Sequence, residues 1–219
     1  MDRQTQINSD LNFGKWGEEM IIRWVQEYFS KGNREVSYWY NSDYEFRNLK
    51  GFERIKRLKE YDLKFGVYNS GDITPVGNIK FEVKTDKYSN TGNLCFEIKD
   101  NKKDSGVMSS LADYFVYFMP RFDNENLYVI KTSKMKELLS SDKFKVYYNY
   151  GGDVSNTLNI VIPKSDFIDD FKAAGGRVET YKVNIPEDFK LEKFEESKKV
   201  VYVSDSIKKY DDPFNFGGI

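Results

Sequence analysis

Asp62, Glu82 and Lys84 are the residues of this 219-residue chain whose types and spacing suit a reaction. Hydrolysis of a phosphodiester with Mg²⁺ or Mn²⁺ needs carboxylates to hold the cation and a water set for in-line attack. It also needs a positive group near that water or near the charge that develops on phosphorus. Glu82 and Lys84 sit in Asn78 to Thr85, where Phe81 and Val83 alternate with Lys80, Glu82, Lys84 and Asp86. Residues two apart on a strand point to the same side, roughly 7 Å from one another, so one phosphate can face both. Asp62, in the alternating run Tyr61 to Val67, brings a second metal ligand from a neighbouring strand, and the backbone carbonyl of Val83 is a further oxygen that a hard cation accepts. The expected reaction is direct attack by water with no covalent intermediate, Lys84 positioning or activating that water.

Composition narrows the alternatives. The chain has no histidine, which removes Ser-His-Asp and Cys-His catalysis, most zinc sites and any nuclease that relies on a histidine base. Cys95 is the single cysteine and lies in an alternating apolar stretch, where a buried thiol is the ordinary explanation. A net charge of −1 argues against indiscriminate coating of DNA. A local cationic approach is nevertheless present just before Asp62: Arg47, Lys50, Arg54, Lys56, Arg57 and Lys59 against the single acid Glu53. These six cations are expected to contact phosphates; the competing reading is an amphipathic surface helix, since Phe52, Ile55 and Leu58 recur at helical spacing. Apolar runs such as Tyr114 to Pro120 fall far short of the ~20 residues that span a bilayer, and the first residues are polar, so no membrane partner and an intracellular, cytoplasmic location are expected.

Several elements must position these residues. Phe13, Trp16, Met20, Ile21, Trp24, Tyr28 and Phe29 recur as on one face of a helix, with Glu18 and Glu19 on its polar side and Gly32-Asn33 as a stop. Val36 to Tyr40 reads as a strand; Tyr61 to Val67, Asn78 to Thr85 and Leu94 to Lys99 read as a three-stranded meander. Tyr114 to Phe118 and Asn126 to Lys131 follow as strands, and Thr132-Ser133 starts a short helix through Leu139. Farther on, Lys145 to Tyr148, Leu158 to Ile162 and Lys199 to Val203 look like strands and Lys164 to Ala174 like a helix.

Tyr61-Asp62 followed 20 residues later by Glu82-Val83-Lys84 resembles the PD-(D/E)xK nuclease superfamily, which includes many restriction endonucleases and Holliday-junction resolvases. Tyr61 stands where that pattern often has proline. The resemblance implies an α/β fold with a restriction-endonuclease-like αβββαβ core, a mixed central sheet flanked by helices, matched here from about Phe13 to Lys131. It also implies a DNA substrate, possibly branched, with Mg²⁺ or Mn²⁺ as cofactor, and homodimers are common in the superfamily. Gly14-Lys15-Trp16-Gly17-Glu18 looks like that superfamily's Gly-x-x-x-Glu setting on the first helix, which makes Glu18 an auxiliary metal or water ligand, with Glu19 as its rival. Glu82-x-Lys84-x-Asp86, Thr91-Gly92-Asn93, Glu97 and Ser105-Gly106 leading to Ala112-Asp113-Tyr114 are similar to nuclease-like proteins of tailed bacteriophages. By that likeness Glu97 is a further metal carboxylate, and Lys102 to Ser109, with Ser105, is a substrate-contacting loop in a protein of the host cytoplasm.

Competing readings need no chemistry. A solvated strand face with cross-strand ion pairs accounts for Lys80, Glu82, Lys84 and Asp86, and Glu18 can be a helix-surface acid. A catalytically inactive nucleic-acid-binding or phage structural protein that keeps the nuclease fold is the alternative to an active deoxyribonuclease. Residues 1–135 are expected to form the nuclease-like core, and 136–219 a C-terminal extension packed on it as one unit.

Overall fold

A computed structural model describes residues 3–41, 50, 53, 60–100, 103–120, 127–144, 146–150 and 156–183. All belong to one compact unit, Met1–Ile185, while Pro186–Ile219 forms a second unit outside the described residues, as does the expected strand Lys199 to Val203. The architecture is mixed α/β: a six-stranded mixed sheet flanked by helices, with a four-stranded antiparallel sheet. Among the described residues no helix is long and apolar enough to cross a membrane.

Helix α1 spans Arg3–Ser30, starting well before the apolar periodicity does, since extending a nucleated helix costs far less than starting one. It ends before Asn33, which takes the left-handed conformation at φ 57°. The α1 face carrying Phe13, Trp16, Ile21 and Val25 is buried against the large sheet, the Trp16 ring lying 5.7 Å from that of Phe118. That sheet contains β1 (Arg34–Tyr40), β2 (Leu63–Asn69), β3 (Gly77–Thr85), β6 (Tyr114–Phe118), β7 (Leu127–Lys131) and β10 (Arg177–Glu179), in the order β1-β2-β3-β6-β7-β10. Only β3 and β6 run parallel among these neighbours.

The meander differs from the sequence expectation. It consists of β1, β2 and β3, whereas β4 (Asn93–Asp100) leaves for the second sheet, ordered β5-β4-β9-β8, with β5 at Lys103–Asp104, β8 at Val146–Tyr150 and β9 at Asn156–Pro163. The place beside β3 goes to β6, whose run Phe115 to Phe118 is buried throughout, as a strand covered on both faces requires. Leu94, Phe96 and Ile98 alternate with half-buried Cys95, Glu97 and Lys99, the pattern of a strand with one buried face. Among the described residues the connection between the parallel pair β3 and β6 is therefore made by β4, β5 and two 3₁₀ turns, Ser89–Thr91 and Gly106–Met108, where the αβββαβ pattern has a helix.

Helices α2 (Thr132–Leu139) and α3 (Lys164–Ala173) complete the unit. Phe96 of β4 meets Phe115 and Tyr117 of β6 at 6.2 and 5.1 Å and Phe167 of α3 at 5.5 Å, so one aromatic cluster joins the second sheet, β6 and α3.

Gly17 is where α1 comes closest to β3: a Cβ there would lie 1.8 Å from Thr85 Oγ1 and 2.7 Å from Thr85 Cβ and Cγ2. Thr85 Cβ cannot retreat, since Thr85 sits in the sheet. Gly17→Ala is predicted to destabilise the fold by about 1–3 kcal/mol through overpacking. In urea unfolding, Thr85→Ala in the same chain should recover part of that loss, since it removes Oγ1 and Cγ2 and keeps Cβ; additive effects of the two changes would show that the contact is not the cause.

Candidate active site

Chain register places the three candidates at the C-terminal end of β3. Leu63 of β2 pairs with Phe81, and there the β2–β3 ladder ends, so β3 runs on to Thr85 with no β2 strand opposite. Asp62, at the bend before β2, closes the gap: its N–H donates to the Phe81 carbonyl at 2.8 Å, and its Oδ2 accepts the Val83 N–H at 2.7 Å. In a strand the N–H and C=O of one residue point to the same edge, so the Val83 carbonyl also faces the edge where Asp62 lies. Alternation puts Glu82 and Lys84 on one face, paired in register with Phe115 and Tyr117 of β6.

The structure brings Glu18, Asp62 and Glu82 into mutual electrostatic reach. Burial first, and then the Asp62 charge, push the Glu18 carboxyl up from 4.5 to about 7 against the opposing charge of Lys15. Asp62 and Glu82 are both driven upward, chiefly by burial; the Asp62 charge adds to the shift at Glu82, and the Val83 N–H holds Asp62 back. Two groups absent from the sequence reading also act on Glu82: hydrogen bonding from Ser110 and the charge of Lys136 both favour its ionised form. Lys136 of α2 donates from Nζ to the Ser110 carbonyl at 2.7 Å, and partial burial lowers its own pKa. No spacing signal links Ser110 or Lys136 to Glu82. Only the fold does, by bringing Ser110 and α2 up to Glu82.

The other candidates have different partners. Lys84 is exposed, and the groups that feel its charge are Asp86 and Cys95. Asp86 is buried, accepting a hydrogen bond from the Tyr117 hydroxyl at 2.6 Å and one from the Tyr88 N–H at 2.8 Å. Glu97 accepts a short hydrogen bond from the Ser105 hydroxyl, and its charge is felt at Cys95; it is not among the charges that shift Glu18, Asp62 or Glu82. Ser105 precedes the 3₁₀ turn, its N–H bound to the Ile98 carbonyl at 3.0 Å. Of the cationic approach segment, Lys50 is described and exposed, whereas Arg47, Arg54, Lys56, Arg57 and Lys59 lie outside the described residues.

The donors gathered at the end of β3 are all oxygens, and their negative charge is opposed nearby by Lys15 and Lys136. Such a set suits a hard divalent cation rather than a soft one. Among the described residues, however, no three Cys, Asp or Glu side chains stand close enough to enclose a metal. Asp62 Oδ2 accepts from the Val83 N–H and Glu82 accepts from Ser110, which leaves each carboxylate further lone pairs for a cation.

No protein-family model and no curated protein matches the chain. Among solved structures it is similar to a nuclease from a fusselovirus, with 14% identity and a TM-score of 0.39 over 76% of this chain and 94% of that one.

Raised carboxyl values carry a pH signature. Between 4.5 and about 7 the folded chain holds the Glu18 proton while the unfolded chain has released it, so this contribution to stability is full below 4.5 and is lost as the pH rises to about 7. Asp62 and Glu82 act in the same direction. The urea midpoint in metal-free buffer is predicted to fall from about pH 5 to about pH 8, and Glu18→Gln with Glu82→Gln should flatten the fall. An unchanged slope in that double variant would remove these groups as its source.

Proposed function

We propose that the chain is a metal-dependent nuclease that hydrolyses phosphodiester bonds in DNA by direct attack of water, with Asp62, Glu82 and the Val83 carbonyl holding Mg²⁺ or Mn²⁺. The observation that carries this reading is the convergence of Glu18 of α1, Asp62 of the bend before β2 and Glu82 at the end of β3 that extends past β2, with all three carboxyls raised by burial. Buried acids in mutual repulsion cost stability unless a cation relieves them, and such perturbed groups cluster at functional sites. The bound cation would polarise the phosphate and lower the pKa of the attacking water.

The protein's own part is positioning. Asp62 is oriented by the Val83 N–H, Glu82 by Ser110 and Lys136, and Glu18 approaches from α1 as a water or outer metal ligand. Lys84, on the Glu82 face and exposed, is free to swing toward a phosphate that enters over β3, where its ammonium orients the nucleophile. Glu97, which accepts a hydrogen bond from the Ser105 hydroxyl, would support the loop that leads to the site.

One observation favours a second reading, a nucleic-acid-binding or phage structural protein on the same fold: no three acidic side chains enclose a metal among the described residues. A cleavage panel of linear, circular, single-stranded and branched DNA in Mg²⁺ or Mn²⁺ separates the two. Wild type should cut, and Glu82→Ala and Lys84→Ala should each lose roughly 10²–10³-fold, the scale of a lost group acting on the transition state. Lys136→Met should retain cleavage but move the ascending limb of the pH–rate profile to higher pH, because Glu82 loses a charge that favours its ionised form. Wild type that binds DNA and cuts none of the panel would leave the binding protein as the reading.

A further inference from the structure

Trp39, on β1, is 42% exposed, which is unusual for the largest apolar side chain. Its indole is seated against Gly66 of β2: a Cβ at Gly66 would lie 3.2 Å from the ring atoms Cη2 and Cζ3, so a larger residue there would press on the ring. In register, Trp39 pairs with Lys64 of β2, and Lys64 pairs with Lys80 of β3. The three side chains thus share one face in a row that crosses three adjacent strands, about 10 Å from end to end at the usual strand spacing. That face is also the Glu82 face, because Lys80 and Glu82 are two residues apart on β3, roughly 7 Å along the strand.

Cations and rings are interleaved along this row. Lys64 Nζ stands 5.5 Å from the Trp39 ring centroid, and Lys80 Nζ stands 5.3 Å from that of Tyr61, the residue before Asp62. Lys80 also approaches a Glu60 carboxylate oxygen at 3.5 Å, but its side chain stays one-third exposed. A partly exposed pair of this kind contributes little, so a phosphate can replace the carboxylate at small cost.

We propose that the Trp39–Lys64–Lys80 row is a binding track for one unpaired polynucleotide strand, delivering it along β3 to the carboxylates at Asp62 and Glu82. A flat, exposed indole offers a stacking surface that a base buried in a duplex cannot use, while the lysines meet successive phosphates. The row deepens the proposed activity by naming its substrate as an unpaired strand or an unpaired branch, and its role in cleavage rests on that reading. Binding itself does not.

The test is fluorescence anisotropy of a labelled dT oligonucleotide, its rU counterpart and a DNA duplex of equal length, in EDTA so that nothing is cut, using the full chain. Tight binding of either single strand supports the track. Trp39→Ala should weaken single-strand binding about tenfold or more and leave duplex binding nearly unchanged, with Trp39→Phe restoring much of the loss. Lys64→Gln and Lys80→Gln should each reduce the slope of log affinity against log salt by about 0.7, the value for one phosphate contact on a single strand. Equal losses on duplex and single strand, or an unchanged single-strand affinity in Trp39→Ala with an unchanged melting temperature, would overturn the proposal. Cleavage lost in Glu82→Ala with Trp39→Ala binding normally sinks the track and keeps the nuclease. Trp39-dependent binding with no cleavage by wild type does the reverse.

Discussion

The hydrogen bond from the Val83 N–H to Asp62 Oδ2 joins the sheet to everything proposed for its end. A strand in the middle of a sheet satisfies its backbone on both sides, and β3 does so against β6 through Thr85, but against β2 only as far as Phe81. Beyond that point a buried amide would lack a partner, a deficit comparable to a lost hydrogen bond. One carboxylate supplies the acceptor. Its presence there fixes the position of Asp62 relative to Glu82, turns the Val83 carbonyl toward the same opening, and makes the site a consequence of where a ladder stops.

A second network determines what surrounds that opening. The Tyr117 hydroxyl of β6 donates to Asp86 just past β3 and accepts from the Cys95 N–H of β4 at 2.9 Å, so one buried oxygen bridges the two sheets where they meet. This holds the chain beyond β3 in a turn, with Asp86 also accepting from the Tyr88 N–H. Lys84 lies within reach of that buried acid and is one of the charges that keep Asp86 from rising further. Lys84 is thereby shared between a structural carboxylate on one side and the proposed reaction on the other. Lys136 fills the position beside Glu82 instead.

Legibility in the sequence followed the range of the interactions. Asp62, Glu82 and Lys84 could be found because strand alternation is local: Phe81 and Val83 turn one way, and their neighbours must turn the other. Burial of α1 was readable from Trp16, Met20 and Ile21, and its approach to β3 is permitted by Gly17, whose need for a small side chain appears only once Thr85 is opposite. The course of β4 was not readable, because alternation in Leu94 to Ile98 says that one face is buried without saying against which sheet; the choice was made by β6, nearly 20 residues later, whose unbroken apolar run suits the centre better. Ser110 and Lys136 were invisible for a related reason. Their bearing on Glu82 depends on contacts between residues far apart in the chain, and neither has a spacing of its own.

The same comparison bears on why the acids remain at the site. Glu18, Asp62 and Glu82 are each raised by burial, so the fold carries a cost that apolar residues of similar size would not impose. The nearby cations do not cancel it: Lys15 acts on Glu18 and Lys136 on Glu82, while burial and, at Glu18 and Glu82, carboxylate repulsion remain the larger causes. A purely structural role would be met by one acid, Asp62, whose hydrogen bond to Val83 replaces the missing strand partner. Two further half-buried carboxyls add repulsion without adding a comparable backbone link, and this surplus of negative charge is what the proposed divalent cation accounts for and a solvated strand face does not.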